Sequence, residues 1–454
     1  MDAFLILLLA AIATGLPLYL GQKYGLVRLV SPLHLVGIFC FLGFGLKSAV
    51  YVVAPDLAFH ARFVDTPWGS QLGALYLTLF VLVICLGYRC ACSPVSRSDN
   101  VVAARLVAAG VVRRGWLFAV ALGVSVVTMG IILQARGGSW LSLDVLTALN
   151  QDRQINVNAD GIGAMMAGIK SFFLVPECAF VLLLGHGIVT GARRSLWQAA
   201  ILAGLLVCIA LISADRFDLI ELVVFGVATH MILGGRLHLR LMVVCAVGIA
   251  ALCIVSAYMT QLRFGIDRAL VWQMLGRQIV GSTYFLDINA AVMVTDRVEA
   301  QHLMLGQSYL WWSFGWVPRA FWPDKPAIDL GVFFKREIMQ VYSGGSYNVT
   351  GPGEAFINFS WLGVAVGFAL GWIYRWGEAA LLSAFGAIRY GAFAAYPLIF
   401  YPFVQASLQS SFSAFVVGAA AQLVLLAVLI WVFLRRYRFW ISPQSRERNS
   451  LYVA

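Results

Sequence analysis

The sequence predicts an all-α polytopic membrane protein, and three observations predict it. Hydrophobic residues make up 61% of the 454 residues, charged ones only 12%, and the mean hydropathy is +0.85; a soluble domain carries about 25% charged residues. The apolar residues fall in runs of about 18 to 22, long enough at 1.5 Å per residue to cross a hydrocarbon core of roughly 30 Å. Lysine and arginine gather in alternate connections between the runs, as they do where short basic loops stay in the cytoplasm.

Run length and flanking polar residues place about eleven helices, at 3–20, 31–52, 71–89, 116–135, 163–188, 197–213, 217–234, 241–260, 354–374, 391–409 and 413–434. Each satisfies its own backbone hydrogen bonds, as hydrocarbon demands. The first run has neither a basic segment before it nor an obvious cleavage site, and reads as a retained helix rather than a signal peptide. An odd count puts the termini on opposite sides. Lys23, Arg28, Arg89, Arg97, Arg105, Arg113, Arg114, Arg193, Arg194, Arg236, Arg240, Arg375, Arg389 and the tail beginning Arg435-Arg436 share one face. Assigning that face to the cytoplasm leaves the N-terminus outside and the C-terminus inside.

The same count accounts for the net charge of +11, because no basic cluster is dense or aromatic-interleaved enough to point to nucleic acid. Six cysteines lie in apolar runs and Cys90 and Cys92 just beyond one, so they read as packing residues rather than disulfides or zinc ligands.

The chain then divides into a membrane unit over 1–260 with eight helices, a long outer segment over 261–353, and three helices with a basic tail over 354–454. A structureless outer loop of that length is improbable unless it works. Its composition is not that of a linker: Val271 to Met293 mixes Trp272, Leu275, Ile279, Tyr284 and Ile288 with polar residues, and Tyr309 to Trp322 carries Trp311, Trp312, Phe314, Trp316 and Phe321. Short amphipathic helices lying at the membrane interface explain both stretches. The tryptophans read as interface anchors, and the same flat faces can stack on sugar rings.

Charged groups collect where helices meet the outer face. Asp215, Arg216 and Asp218 start the seventh helix, Arg263 and Asp267 follow the eighth, and Glu354 starts the ninth. The seventh and ninth helices run inward, so their unpaired N–H groups and positive dipole ends face outward. Gly344 to Glu354 adds glycines that let backbone N–H groups approach an anion, although Gly351-Pro352-Gly353 is equally an ordinary helix entry. Arg216 either pairs locally with Asp215 or Asp218, or acts with Arg263 and Arg319 as a guanidinium set suited to a diphosphate. Glu221, one turn below Asp218, is a carboxylate within a membrane helix, with Lys47 or Lys170 as possible partners. Of six scattered histidines only His60 and His302 fall outside, and no metal-ligand spacing, Walker loop or nucleophile elbow is present.

The stretch Val317-Pro318-Arg319-Ala320-Phe321-Trp322-Pro323-Asp324-Lys325-Pro326, followed by Gly353-Glu354-Ala355-Phe356-Ile357-Asn358-Phe359 and Trp361-Leu362-Gly363, resembles the oligosaccharide repeat-unit polymerases, the Wzy-type O-antigen and exopolysaccharide polymerases. The likeness is close over the C-terminal third and topological elsewhere. It implies a GT-C-like glycosyltransferase of the bacterial inner membrane, independent of metal and cofactor. Such an enzyme moves a growing glycan between undecaprenyl-diphosphate-linked donor and acceptor at the periplasmic face. Membrane lipid, a chain-length regulator and a flippase are the further partners this implies.

That chemistry needs positive charge on a departing diphosphate and a group to orient or deprotonate the acceptor hydroxyl. Arg216, Arg263 and Arg319, with Lys325 and Arg153, are the candidates for the first role, and Glu354 or Asp215 for the second. A ligase handing the glycan to another acceptor is the nearest alternative. A transporter or flippase of lipid-linked sugars is the alternative from another class, for which Lys47, Lys170, Glu177 and Glu221 offer polar positions within helices.

Overall fold

The computed structural model describes residues 2–64, 67–92, 97–135, 174–213, 216–235, 247–248, 251, 254, 280–281, 283–298, 303–317, 321–322, 325–342, 347–383, 386, 391–435, 439–440 and 452–453. Those residues are overwhelmingly helical; the only ladder among them pairs Phe439-Trp440 with Tyr452-Val453. Among the described residues six helices are long and apolar enough to cross a membrane: Ala3–Tyr24, Pro32–Val53, Gln71–Cys90, Arg193–Ala210, Gly351–Leu382 and Phe412–Phe433. Three shorter apolar stretches, Arg114–Gly130, Leu174–Thr190 and Ile220–Ile232, accompany them.

The first and last of the six show why the surroundings are hydrocarbon. Only 17% of the apolar window in Ala3–Tyr24 and 18% in Phe412–Phe433 are buried within the protein, yet both helices are apolar on every side. Phe4, Leu8, Leu423, Val424 and Trp431 all point outward. A helix of this kind is stable only where lipid covers the faces that protein does not. The chain is therefore a membrane-embedded helical protein.

At the centre stands the Pro67–Cys90 helix, which packs against Asp2–Tyr24, Ile288–Arg297 and Val364–Leu382. Glycine allows the closest of these approaches. A Cβ at Gly371 would fall 2.0 Å from the Ile84 carbonyl oxygen, and one at Gly87 would fall 2.1 Å from that of Phe368. Small residues on both partners let the backbones touch, which is how helices gain packing energy where lipid removes the hydrophobic drive.

Several expectations are corrected by these elements. The ninth helix was expected over 354–374; it begins earlier, as Gly351–Phe359, turns through a 3₁₀ segment at Ser360–Gly363 and continues as Val364–Leu382. Arg375 therefore lies inside a helix, 4% exposed and 3.4 Å from Glu378, rather than in a basic loop. The connection after Cys90 holds an additional helix, Arg97–Ala109, whose Ala103, Ala104, Val107 and Ala108 are buried on one face. Thirteen residues are too few to span a bilayer, and the length criterion passes over such a helix. The fifth expected helix is described only from Leu174, and most of 241–260 lies outside the described residues.

The largest correction concerns the long outer segment. Its part from Leu286 to Val294 was expected to lie at the interface, but it is buried throughout. Ile288–Arg297 is a core helix, capped by Asp287, whose side chain accepts from the Asn289 N–H at 2.8 Å. A π-helical turn at Phe41–Gly45 gives room for it: a Cβ at Gly43 would meet the Leu286 carbonyl at 2.4 Å. One turn further on, Lys47 forms an ion pair with Asp287, both side chains fully buried. By contrast, Gln307–Leu310 and Trp312–Gly315 are short surface helices with Leu310, Trp312, Trp316 and Phe321 exposed, as an interfacial segment requires.

Most described basic residues of the expected cytoplasmic set gather at one end of the bundle. Val112 N donates to Phe433 O at 2.8 Å and Arg435 N to Gly110 O at 2.9 Å, which ties Arg113 and Arg114 to the end of the last helix. At the same end Arg375 donates to Tyr24 O, Leu26 N donates to Glu378, and Tyr396 donates to Val30 O. Glu354 lies at the other end, against Phe412. The 22 residues of Phe412–Phe433 separate the two ends by about 33 Å at 1.5 Å per residue.

Candidate functional site

The Glu354 end is built on a capped helix start. Thr350, at φ 65°, accepts from Gly353 N through its side chain, and Pro352 occupies the first turn where no N–H partner is needed. Tyr76 donates to Pro352 O at 3.0 Å, and a Cβ at Gly351 would meet Ser407 O at 2.0 Å. The first turn is thus wrapped by two neighbouring helices. An open, outward-facing anion cradle is not what Gly351-Pro352-Gly353 forms; it forms a buried helix entry.

Glu354 is 1% exposed, and both of its oxygens are occupied. Oε1 accepts from Ser308 Oγ at 2.7 Å, and Oε2 accepts from Phe412 N at 2.8 Å, one of the orphan donors at the start of the last helix. Asn358, four residues on and so on the same face, donates to Ser308 Oγ at 2.7 Å, while its Oδ1 accepts from Gly306 N at 2.9 Å. Met304 N and Leu305 N donate to the Ile357 and Asn358 carbonyls, and Ser413 Oγ donates to Ser308 O. The acid and amide of Gly353-Glu354-Ala355-Phe356-Ile357-Asn358-Phe359 therefore clamp the 303–310 strap to the bundle. The aromatic short helices begin in that strap.

Lys325 belongs to the same unit. Its Nζ donates to Gly315 O at 3.1 Å and to Val317 O at 2.8 Å, closing the end of Trp312–Gly315 and leaving one N–H for another acceptor. Asp329 caps the next short helix through Gly331 N and accepts from Ser411 Oγ. Tyr309 stacks on Phe359 at 6.2 Å and meets Phe412 edge-on at 5.7 Å.

Arg216 opens the Arg216–Ile232 helix; its side chain lies outside those described. Glu221, one turn deeper, accepts from Gln405 at 3.5 Å. Gln405 is two residues before Ser407, the neighbour of Gly351, so the two helix starts lie at the same end of the protein. Asp215, Arg153, Arg263, Arg319 and His302 lie outside the described residues. His60 is 8% exposed, and its backbone N–H and ring Nδ1 both reach Asn289 Oδ1, the ring at 2.9 Å. Burial holds its pKa below the usual imidazole range. It is a neutral clasp on the buried helix rather than a free base.

Sequence reasoning missed the Lys47–Asp287 pair, because Lys47 was considered only as one of two partners for Glu221 and Asp287 lay in a stretch assigned to interfacial helices. The available signal was Asp287 two residues before Asn289 and the apolar run Ala290 to Val294, a helix-cap position. It also missed Ser308 and Asn358 as the partners of Glu354. The spacing of Glu354 and Asn358 was legible, but the strap they hold is 46 residues away in sequence from the acid.

Among the described residues no three His, Cys, Asp or Glu side chains come together as a metal-binding set. No family model matches the chain, and no curated protein or solved structure matches it either.

Proposed function

We propose that this chain polymerises undecaprenyl-diphosphate-linked oligosaccharide repeat units by glycosyl transfer at the periplasmic face of a bacterial inner membrane. One observation carries the reading: Glu354 and Asn358 of the second sequence signature hold the strap and aromatic helices that lead into the first, and Lys325 folds that first signature back onto them. Two stretches separated in sequence thus behave as one unit at the same end of the protein as the start of the Arg216 helix. Exposed tryptophans on that unit suit both headgroup depth and the faces of sugar rings.

In this reading the acceptor hydroxyl attacks the anomeric carbon, the bond to the carrier diphosphate breaks, and the electron pair leaves with the diphosphate. Arg216, Arg263 and Arg319, with Arg153 and the remaining Lys325 N–H, bind the phosphate oxygens as charge develops on them. The hydroxyl proton passes to Asp215. Each Glu354 oxygen already accepts a hydrogen bond and the side chain is 1% exposed, so its role is to position the strap; it reaches an acceptor only if the strap lifts away.

Lys47 is closed in a buried pair with Asp287, an arrangement that seals helix contacts rather than lining a route. That favours the enzyme over a transporter.

The test is glycan length in cells expressing Arg216→Ala, Arg319→Ala or Glu354→Gln at normal protein levels. A polymerase variant leaves a single repeat unit on the final acceptor. Polymer stranded on the carrier assigns a ligase instead, and units trapped inside assign a transporter. Full-length glycan in all three variants overturns the site assignment.

A further inference from the structure

At the basic end, a groove of about 760 Å³ opens between the starts of the Arg114–Ala135 and Arg193–Ser213 helices, lined by Arg113, Arg114, Trp116, Arg194, Ser195 and Gln198. That volume is within the range of small-molecule sites, about 300–1,000 Å³. Three guanidinium groups border one cavity, and among the described residues neither Arg113 nor Arg194 pairs with a carboxylate. Like charges held this close repel one another, and the positive ends of two helix dipoles add to the same field. Among the described residues no carboxylate lines the groove to offset that field, which suits it to an anion.

Its walls are fixed rather than incidental. Arg114 Nη1 donates to His186 Nε2 at 3.1 Å; arginine has no acceptor, so His186 carries its proton on Nδ1. That Nδ1 lies 3.2 Å from Ser195 Oγ, on the opposite wall, and 3.3 Å from Thr190 Oγ1. Ser195 is 2% exposed. The relay Arg114–His186–Ser195 therefore joins the two helices and sets one arginine against the cavity. Arg113, at φ 51°, occupies a left-handed position that glycine or asparagine would fill with less strain. A turn residue alone would not need to be arginine.

The surroundings indicate where the anion comes from. Trp116 is 72% exposed in the groove and Trp197 is 71% exposed beside it, the placement of tryptophan at headgroup depth. Below them Val120 and Ile201 are exposed on the same two helices, offering an apolar path along which an acyl chain can lie. Basic pockets between membrane helices are the recognised setting for anionic headgroups. We propose that this groove binds the phosphate of an anionic phospholipid from the surrounding leaflet, with Arg113, Arg114 and Arg194 on its oxygens and Trp116 at the glycerol level.

The full-length protein in nanodiscs of phosphatidylcholine doped with phosphatidylglycerol tests this by native mass spectrometry of the lipid retained on release. Wild type retains phosphatidylglycerol in preference to phosphatidylcholine. Arg113→Gln with Arg194→Gln weakens that retention about tenfold or more, as loss of charge-assisted contacts requires. The Lys pair at the same positions keeps most of it, and Arg28→Gln with Arg89→Gln, at the same end but outside the groove, keeps all of it. Circular dichroism melting in neutral detergent confirms that each variant is folded.

Equal retention by wild type and the Gln pair overturns the proposal, as does equal loss in the Arg28 and Arg89 control. Millimolar inorganic phosphate added before release is the second arm. Displacement of the lipid by it makes the groove a site for soluble phosphate and overturns the lipid assignment.

Discussion

The two ends of the bundle treat charge in opposite ways. At the Glu354 end the buried titratable groups described above are closed on partners within the protein. Glu354 sits between Ser308 and Phe412 N, Lys47 is paired with Asp287, and His60 is bonded twice to Asn289. At the basic end Arg375 and Glu378 are closed likewise, with Tyr88 donating to the same carboxylate. A short distance away, Arg113 and Arg194 stand exposed beside a cavity with no carboxylate among the described residues to meet them. Charge that is buried and paired holds elements together, whereas charge that is exposed, clustered and unpaired invites a ligand.

The comparison breaks first at the Lys47–Asp287 pair if burial and pairing are not what hold the Glu354 end. Asp287→Ala leaves a buried ammonium without its counter-charge and removes the cap of Ile288–Arg297, so a loss of about 3–5 kcal/mol is expected. Unfolding in mixed micelles measures it. Lys47→Met combined with Asp287→Leu removes both charges and recovers most of that loss. A single variant as stable as wild type would mean that Lys47 finds water or another partner, and the end is not sealed as described.

A smaller effect separates the strap from the bundle it is clamped to. Ser308→Ala removes one donor to Glu354 and one acceptor from Asn358, both buried, which is about 1–3 kcal/mol of local stabilisation. The loss is confined to 303–317: limited proteolysis there accelerates while the global melting midpoint moves little. A fall in the global midpoint with no change in cleavage would show that the strap and the bundle unfold as one unit.

These two regions also show what could be read without coordinates. Apolar run length located the long helices to within a few residues, apart from Gly351–Leu382, which continues well past its expected end, because hydrocarbon imposes a length that the sequence must display. The same rule fails where length is not the constraint. Arg97–Ala109 is amphipathic and too short, and Ile288–Arg297 is apolar but ten residues long. Glu354 was legible as an acid at an outer helix start, since Pro352 and the glycines punctuate the chain there, but its burial was not. Its partners were not, because Ser308 and Phe412 reach it from distant sequence and one of them contributes only a backbone N–H. Arg375 shows the limit of counting basic residues: the count uses charge and position, but burial beside Glu378 depends on which face of Val364–Leu382 meets Pro67–Cys90.

The smallest expected effect is the sharpest test of the difference between the ends. If the groove arginines are held for a ligand rather than for the fold, Arg194→Gln leaves the unfolding midpoint in neutral detergent unchanged, because no described partner is lost and one repulsive neighbour of Arg113 is removed. Surface substitutions away from structural contacts behave in this way. The same variant measured with phosphatidylglycerol present should gain less from the lipid than wild type does, since a ligand stabilises only the state that binds it, in proportion to its affinity. Equal lipid-induced shifts in the two proteins would place the anion elsewhere on the basic face. A marked drop in neutral detergent would make Arg194 a structural arginine like Arg375, and the contrast between paired and unpaired charge would lose its clearest case.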